Sequence, residues 1–219
     1  MIQLKHRPET LNQPNDLVKE YVEALNKGDV FYDLGACVGT YGILAYSLGC
    51  EVVAFEVDEV NYDALKENFF LLFGYEQGYK ALNIGIADKE GAIQLYVGQS
   101  EIGGHHKTLD LENFCGHPAS RSEIENTITV PVDGLDNLIM KHNLPKPQHI
   151  KIDIDGSEYA FLAGAKQALT DAESIIIELY EDNDFFQKIV DVLEKEHKFT
   201  LFQKGIELES GLRDYWFKK

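Results

Sequence analysis

Positive charge is scarce in this chain. Twenty Lys and Arg stand against 37 Asp and Glu, a formal net charge of −17 with a pI near 4.7. Such a surface lacks the basic stripe whose counterion release drives binding to a phosphate backbone, so DNA and RNA are not expected partners. Acids in runs such as LEKEHK near Leu193 read as solvated helix faces. Cysteine is equally sparse: Cys37, Cys50 and Cys115 are odd in number and never spaced C-x-x-C, which disfavours a disulfide frame or a zinc knuckle. Long apolar runs are missing too. The longest patches, such as Ser174 to Leu179, have strand length, and no signal peptide, repeat or low-complexity tract is visible. These absences lead to the expectation of a soluble, cytoplasmic chain with no membrane partner. With 219 residues, 44% of them hydrophobic, residues 1–219 suffice for one well-buried domain.

What is present centres on Val30 to Gly42, VFYDLGACVGTYG, an apolar strand broken by an acid and glycines before a helix begins. A strand, Gly-rich turn and helix start bring bare N–H groups and a positive helix end to one spot, which suits a nucleotide-like ligand. The dinucleotide pattern G-x-G-x-x-G fails, because Cys37 stands where the second glycine should be. Asp33, Gly35 and Gly39 instead form D-x-G-x-x-x-G, which resembles motif I of S-adenosylmethionine-dependent methyltransferases. About 20 residues on, the strand EVVAF ends in Glu56, where an αβ nucleotide fold places the acid that holds ribose hydroxyls. Asp33, Gly35, Ala36, Gly39, Glu56, Val57, Asn83 and Asp153 make up the expected cofactor-binding set.

Strand and helix patterns alternate, predicting an α/β fold with a mainly parallel sheet and helices on both faces. A helical lead-in (1–29, with its helix over Asp16 to Lys27) precedes strand one at Val30. Helices are expected over Thr40 to Leu48 and Val60 to Phe73, each stopped by a glycine. Further strands are expected at Lys80 to Ile84, Ala92 to Val97, Gln148 to Ile154 and Ser174 to Leu179. One helix bearing Phe161, Leu162, Ala165 and Leu169 should separate the last two. A final helix, Phe185 to His197, precedes a closing antiparallel pair, Phe199 to Gln203 and Asp214 to Phe217.

The segments FYDLGACVGTYG, VVAFEVDEVNYDALKENF, NIGIADKEGAIQLYV, ITVPVDGLDNLI, HIKIDIDGSEYAFLAGA and IIIEL are similar, in order and spacing, to the FkbM family of methyltransferases. The resemblance covers about Val30 to Leu179. It implies a class I methyltransferase fold with a seven-stranded sheet, S-adenosylmethionine as cofactor, and methylation of a hydroxyl oxygen on a sugar, glycan or natural-product acceptor. Two departures stand out. Cys37 replaces the usual Asn of the loop, and V-E-G-A-E is here Ile154, Asp155, Gly156, Ser157 and Glu158.

A hydroxyl is a poor nucleophile at neutral pH and needs a base within reach or a metal that lowers its pKa. In an open α/β sheet the candidates are acids just past strands four and five: Asp153, Asp155 and Glu178. Asp155 and Glu158 also fit a helix-capping pattern, D-x-x-E. Asp153 lies inside KIDI, where an acid costs solvation unless something binds it. Asp153 and Glu178 could share a divalent cation, although no local spacing demands one and no metal site is assigned. The segment Gln99 to Asn126 reads as a lid-like insertion. It carries His105, His106, Lys107 and Arg121, expected to recognise an anionic small-molecule or glycan acceptor, with His106 or His105 as a second candidate base. A solvated loop is the other reading of that segment. Two rival functions remain at this point: a non-catalytic binding or assembly subunit on the same scaffold, and a nicotinamide oxidoreductase.

Overall fold

The computed structural model describes residues 4–6, 16–97, 102, 107–108, 126–154, 156–182, 184–207 and 211–219. In chain order its elements begin with α1 (Leu17–Glu23), β1 (Val30–Leu34), α2 (Thr40–Ser47), β2 (Glu51–Phe55), α3 (Glu59–Phe73) and β3 (Tyr79–Leu82). Then come β4 (Gly85–Ile86), β5 (Gly91–Val97), β6 (Lys107–Thr108), β7 (Asn126–Asp133), α4 (Leu135–Lys141) and β8 (His149–Ile152). The last are α5 (Glu158–Gly164), α6 (Lys166–Asp171), β9 (Ser174–Tyr180), α7 (Phe186–Asp191), a π-helical turn (Val192–Glu196), β10 (Thr200–Lys204) and β11 (Leu212–Lys218).

The main sheet has seven strands in the order β10-β11-β9-β8-β1-β2-β3. Strands β1, β2, β3, β8 and β9 run parallel, while β11 is antiparallel to both β9 and β10. This is the mainly parallel seven-stranded sheet with a C-terminal antiparallel pair that the alternation and the resemblance imply. Strand order reverses between β1 and β8, because β1 leads outward to β2 and β8 leads the other way to β9.

Alternation along each strand sends successive side chains to opposite faces. Tyr32, Leu34, Val53, Phe55, Ile150, Ile152, Ile175 and Ile177 pack with Leu135, Phe161, Leu169, Ile189 and Leu193 of the later helices. Phe31, Val52, Ile176 and Trp216 pack on the other face with Leu17, Tyr21, Leu44 and Ala45 of α1 and α2. Fully burying one such aliphatic or aromatic side chain is worth about 1.5–3 kcal/mol, so these two layers dominate the fold's stability.

Several boundaries differ from expectation for local reasons. Ala92 to Val97 belongs to a second sheet, β4-β7-β5-β6, where β5 pairs antiparallel with β7. Strand β3 stops at Leu82 because Asn83 turns back, its Nδ2 donating to the carbonyls of Glu56 at 2.8 Å and Val57 at 3.0 Å. Helix α1 ends at Glu23, not Lys27, and Gly28 N–H is drawn instead to Gly49 O. The single helix expected around Ala165 is two. Gly164 is wedged so closely that an added Cβ would meet Ala87 O at 2.2 Å, and Ala165 leaves helical geometry with φ −129°. The Asp136 carboxylate then takes the freed N–H groups of Gln167 and Ala168. The last expected helix closes as α7 plus the π-helical turn.

Beneath the sheet's amino ends, buried His149 touches Ser174 Oγ at 2.8 Å and Asp29 Oδ2 at 3.2 Å, beside Tyr21. Burial holds its imidazole below the ordinary 6.5, with Asp29 and Glu173 pulling back only in part. The unfolded chain therefore takes up this proton first, so His149 costs stability as pH falls below about 6.5. Buried Asp33 and Asp214 titrate in the opposite sense, their carboxyls being raised. The difference between wild type and His149→Gln in urea unfolding should accordingly shrink from pH 7 to pH 5.5; a difference independent of pH would contradict the buried neutral imidazole.

Candidate active site

The turn after β1 is dictated by backbone contact. Gly35 has φ +74°, and a Cβ there would lie 1.7 Å from Asp153 O at the end of β8. Only glycine fits, since it has no Cβ and tolerates positive φ. Gly39, with φ +85°, begins α2, and its added Cβ would meet Leu65 Cγ at 2.9 Å. The loop N–H groups are not bare, as the sequence pattern led one to expect. Gly35 and Ala36 donate to Phe55 O, Cys37 donates to Glu56 Oε2 at 2.7 Å, and Gly39 donates to Ala36 O. Strand β2 and the loop thus satisfy one another, which pre-shapes the turn.

The candidate acids lie on the sheet face that carries α1 and α2. Asp33 is fully buried; its Oδ2 accepts from Gly42 N at 2.9 Å, and its Oδ1 stands 3.3 Å from Lys151 Nζ. Burial raises its carboxyl, against the pull of Lys151 and the Gly42 N–H. Asp33 therefore shapes the loop from below. Lys151, adjacent in register, also donates to Gly35 O at 2.9 Å and lies 3.2 Å from Asp153 Oδ2. Burial alone would lower this ammonium's pKa, yet Asp153 and Asp33 together hold it raised and charged. Asp153 itself follows β8 and is 41% exposed at its side chain, so it faces outward with one oxygen tied to Lys151.

Glu56 ends β2 at only 6% exposure, and Oε1 accepts from Asp58 N at 2.8 Å while Oε2 accepts from Cys37. A carboxylate can accept several hydrogen bonds, two of which these backbone groups supply. Val57 follows it half-buried, and Asn83 fixes the carbonyls of both. Asp33, Gly35, Ala36, Gly39, Glu56, Val57, Asn83 and Asp153 are thereby gathered around the carboxyl ends of β1, β2, β3 and β8.

Glu178 lies on β9, one residue past the Ile152–Ile177 pair, and opposes Asp214 on β11. Burial, aided by Asp153 and Asp16, pushes the Asp214 carboxyl up to about 7. Sequence inspection passed over both Lys151 and Asp214. The signal for Lys151 was available: a cation in a strand buried on both faces demands paired acids. Among the described residues no group of three or more His, Cys, Asp or Glu side chains is arranged to hold a metal ion. The capping pattern does not form as expected: Ser157, not Asp155, precedes α5, and Glu158, its first residue, accepts from Gly156 N at 3.2 Å. Asp155, His105, His106, Arg121 and the Lys107 side chain lie outside the described residues; the Lys107 backbone joins β6, against β5. A cavity of about 350 Å³ lies between the Ala87 to Ile93 turn, Val132 and the start of α5, and none of the candidate site residues lines it.

The model of the methyltransferase FkbM domain matches residues 33–201, and the chain belongs to the FkbM methyltransferase family. It is 25% identical over 174 residues to the hexuronic acid methyltransferase AglP of Haloferax volcanii, covering 80% of this chain and 65% of that protein. It is likewise 25% identical over 228 residues to the 2-O-methyltransferase NoeI of Sinorhizobium fredii, covering 96% and 91%. Among solved structures, an FkbM methyltransferase from Methylobacillus flagellatus superposes with a TM-score of 0.60 at 15% identity, over 91% of this chain and 46% of that one. TrmK of M. capricolum, solved with S-adenosylhomocysteine, gives 0.53 at 10% identity, over 94% and 69%. These structural likenesses establish the fold. The chain spans about two thirds of AglP and under half of the Methylobacillus chain. No helix among the described residues is long and apolar enough to cross a membrane.

Gly35→Ala combines positive φ with a backbone clash, whereas Gly28, with φ +94°, has nothing within 4 Å of an added Cβ. Gly28→Ala should cost about 1 kcal/mol of conformational strain and Gly35→Ala about 3 kcal/mol or more in denaturant unfolding. Equal losses would mean that the β1–β8 approach does not constrain the loop.

Proposed function

We propose that this chain transfers a methyl group from S-adenosylmethionine to a hydroxyl oxygen of a sugar or glycan. The observation that carries the proposal is the convergence of Gly35, Glu56 and Asp153 at the carboxyl ends of β1, β2 and β8, astride the point where strand order reverses. Ligands of open α/β sheets bind at such a point. The donor set fits the cofactor: the buried Glu56 carboxylate at the end of β2 suits a ribose diol, and the adjoining turn at Gly35 admits no side chain.

When bound, S-adenosylmethionine supplies a methyl group activated by a sulfonium sulfur. Glu56 accepts from the ribose hydroxyls, Gly35 to Gly39 bound the methionine end, and Val57 and Asn83 border the adenosine. Asp153 would take the proton of the acceptor hydroxyl, whose oxygen would receive the methyl group that the bound cofactor supplies. Holding those atoms in line supplies much of the rate. Glu178 stands as the acid on the next strand.

The name of NoeI, a 2-O-methyltransferase, supports a hydroxyl acceptor, and that of AglP supports a sugar acid, which bears a carboxylate as well as hydroxyls. An anionic acceptor agrees with the basic cluster His105, His106, Lys107 and Arg121. We infer a cytoplasmic enzyme without a nucleic-acid partner, consistent with the net charge of −17.

Calorimetry with S-adenosylhomocysteine should show binding to wild type and about tenfold or weaker binding to Glu56→Ala, which loses a charge-assisted acceptor. With methyl-labelled cofactor and hexuronic-acid oligosaccharides, Asp153→Asn should lower kcat by about 10² to 10⁴. Preferential binding of NAD, or full turnover by Asp153→Asn, would sink the assignment.

A further inference from the structure

A buried ammonium is expensive unless paired and hydrogen-bonded, and Lys151 meets both conditions through three separate groups. Its side chain is 4% exposed. It donates to Gly35 O at 2.9 Å and lies 3.3 Å from Asp33 Oδ1 and 3.2 Å from Asp153 Oδ2. One proton is hydrogen-bonded to Gly35 O, while Asp33 and Asp153 pair with the charge; among the described residues Asp33 Oδ1 receives no hydrogen bond of its own. Tyr41 closes a further side, its ring centroid 5.9 Å from Nζ, and its hydroxyl donates to Asp16 Oδ2 at 2.9 Å.

The three partners differ in kind. Gly35 O belongs to the turn, Asp33 is the acid beneath it, and Asp153 is the outward carboxylate beside the acceptor. Asp214 on β11 and Asp16 before α1 add negative charge to the same corner. Without the cation, buried Asp33 would confront the half-exposed Asp153 carboxylate, and the Gly35 carbonyl would lose its donor.

We propose that Lys151 is a positioning residue of the cofactor pocket: its ammonium ties the Gly35 turn to Asp153 and cancels the repulsion between Asp33 and Asp153. This rests on the assignment of that pocket to S-adenosylmethionine.

The test compares wild type, Lys151→Met, Lys151→Gln and Lys151→Met/Asp153→Asn, by S-adenosylhomocysteine calorimetry and by melting without ligand. Lys151→Met should bind about tenfold more weakly or worse and melt lower, and Lys151→Gln, which keeps a donor but no charge, should follow it. Adding Asp153→Asn removes one of the confronting charges, and should recover about threefold in affinity and part of the melting temperature. A side chain that merely filled space would show no recovery, because Asp153→Asn restores no volume. If Lys151→Met fails to fold, folding of the double variant is the same recovery. Wild-type affinity in Lys151→Gln, or a double variant no better than Lys151→Met in both readouts, overturns the inference alone. A wild-type protein that does not bind S-adenosylhomocysteine overturns the cofactor assignment and this inference with it.

Discussion

Two backbones meet at Gly35 and Asp153, and the site is built outward from that contact. Parallel pairing carries β1 and β8 side by side to Leu34 and Ile152, after which Asp153 N–H still donates to Leu34 O. The next step brings the Asp153 carbonyl into the space a side chain on residue 35 would need. Because residue 35 has no side chain to compete for that space, the turn lies close over the strand ends, and Lys151 donates to the Gly35 carbonyl. Moving either strand by a fraction of an ångström would break the turn, the ammonium contacts and the seat of Asp153 together.

Charge is distributed with the same economy. The chain is strongly acidic, yet its buried cation stands in the middle of the acids that converge on the α1/α2 face. Sheet alternation explains the convergence: Asp33, Glu56, Lys151, Asp153, Glu178 and Asp214 fall on the parity opposite the large aliphatic layer. One face thus carries most of the apolar packing, while the other gathers these polar groups. The left-handed φ of +51° at Cys37 adds a local cost. Asn, the usual residue of the family's loop, adopts that conformation more readily than Cys.

Much of this was legible in the residues. The glycine spacing, the acid 21 residues after Gly35 and the alternation of patterns placed the seven-stranded sheet and its antiparallel closing pair. Local signals could not place β5, because its partner β7 lies some 30 residues downstream and pairing of that range leaves no periodic trace. The break at Ala165 follows from Gly164 pressing on Ala87, a tertiary contact invisible to helical periodicity. Attention to Asp153 as an uncompensated acid in KIDI overlooked its neighbour two positions earlier, which compensates it. The expectation that His106 and Arg121 belong to a lid rests on composition alone.

The most direct check is a crystal structure of the protein with S-adenosylhomocysteine. The account places the ribose hydroxyls on Glu56, the amino-acid end over Gly35 to Gly39, and the sulfur on the side facing Asp153. Ligand seated elsewhere, such as the cavity between the Ala87 to Ile93 turn and α5, with Glu56 and Asp153 untouched, would contradict it.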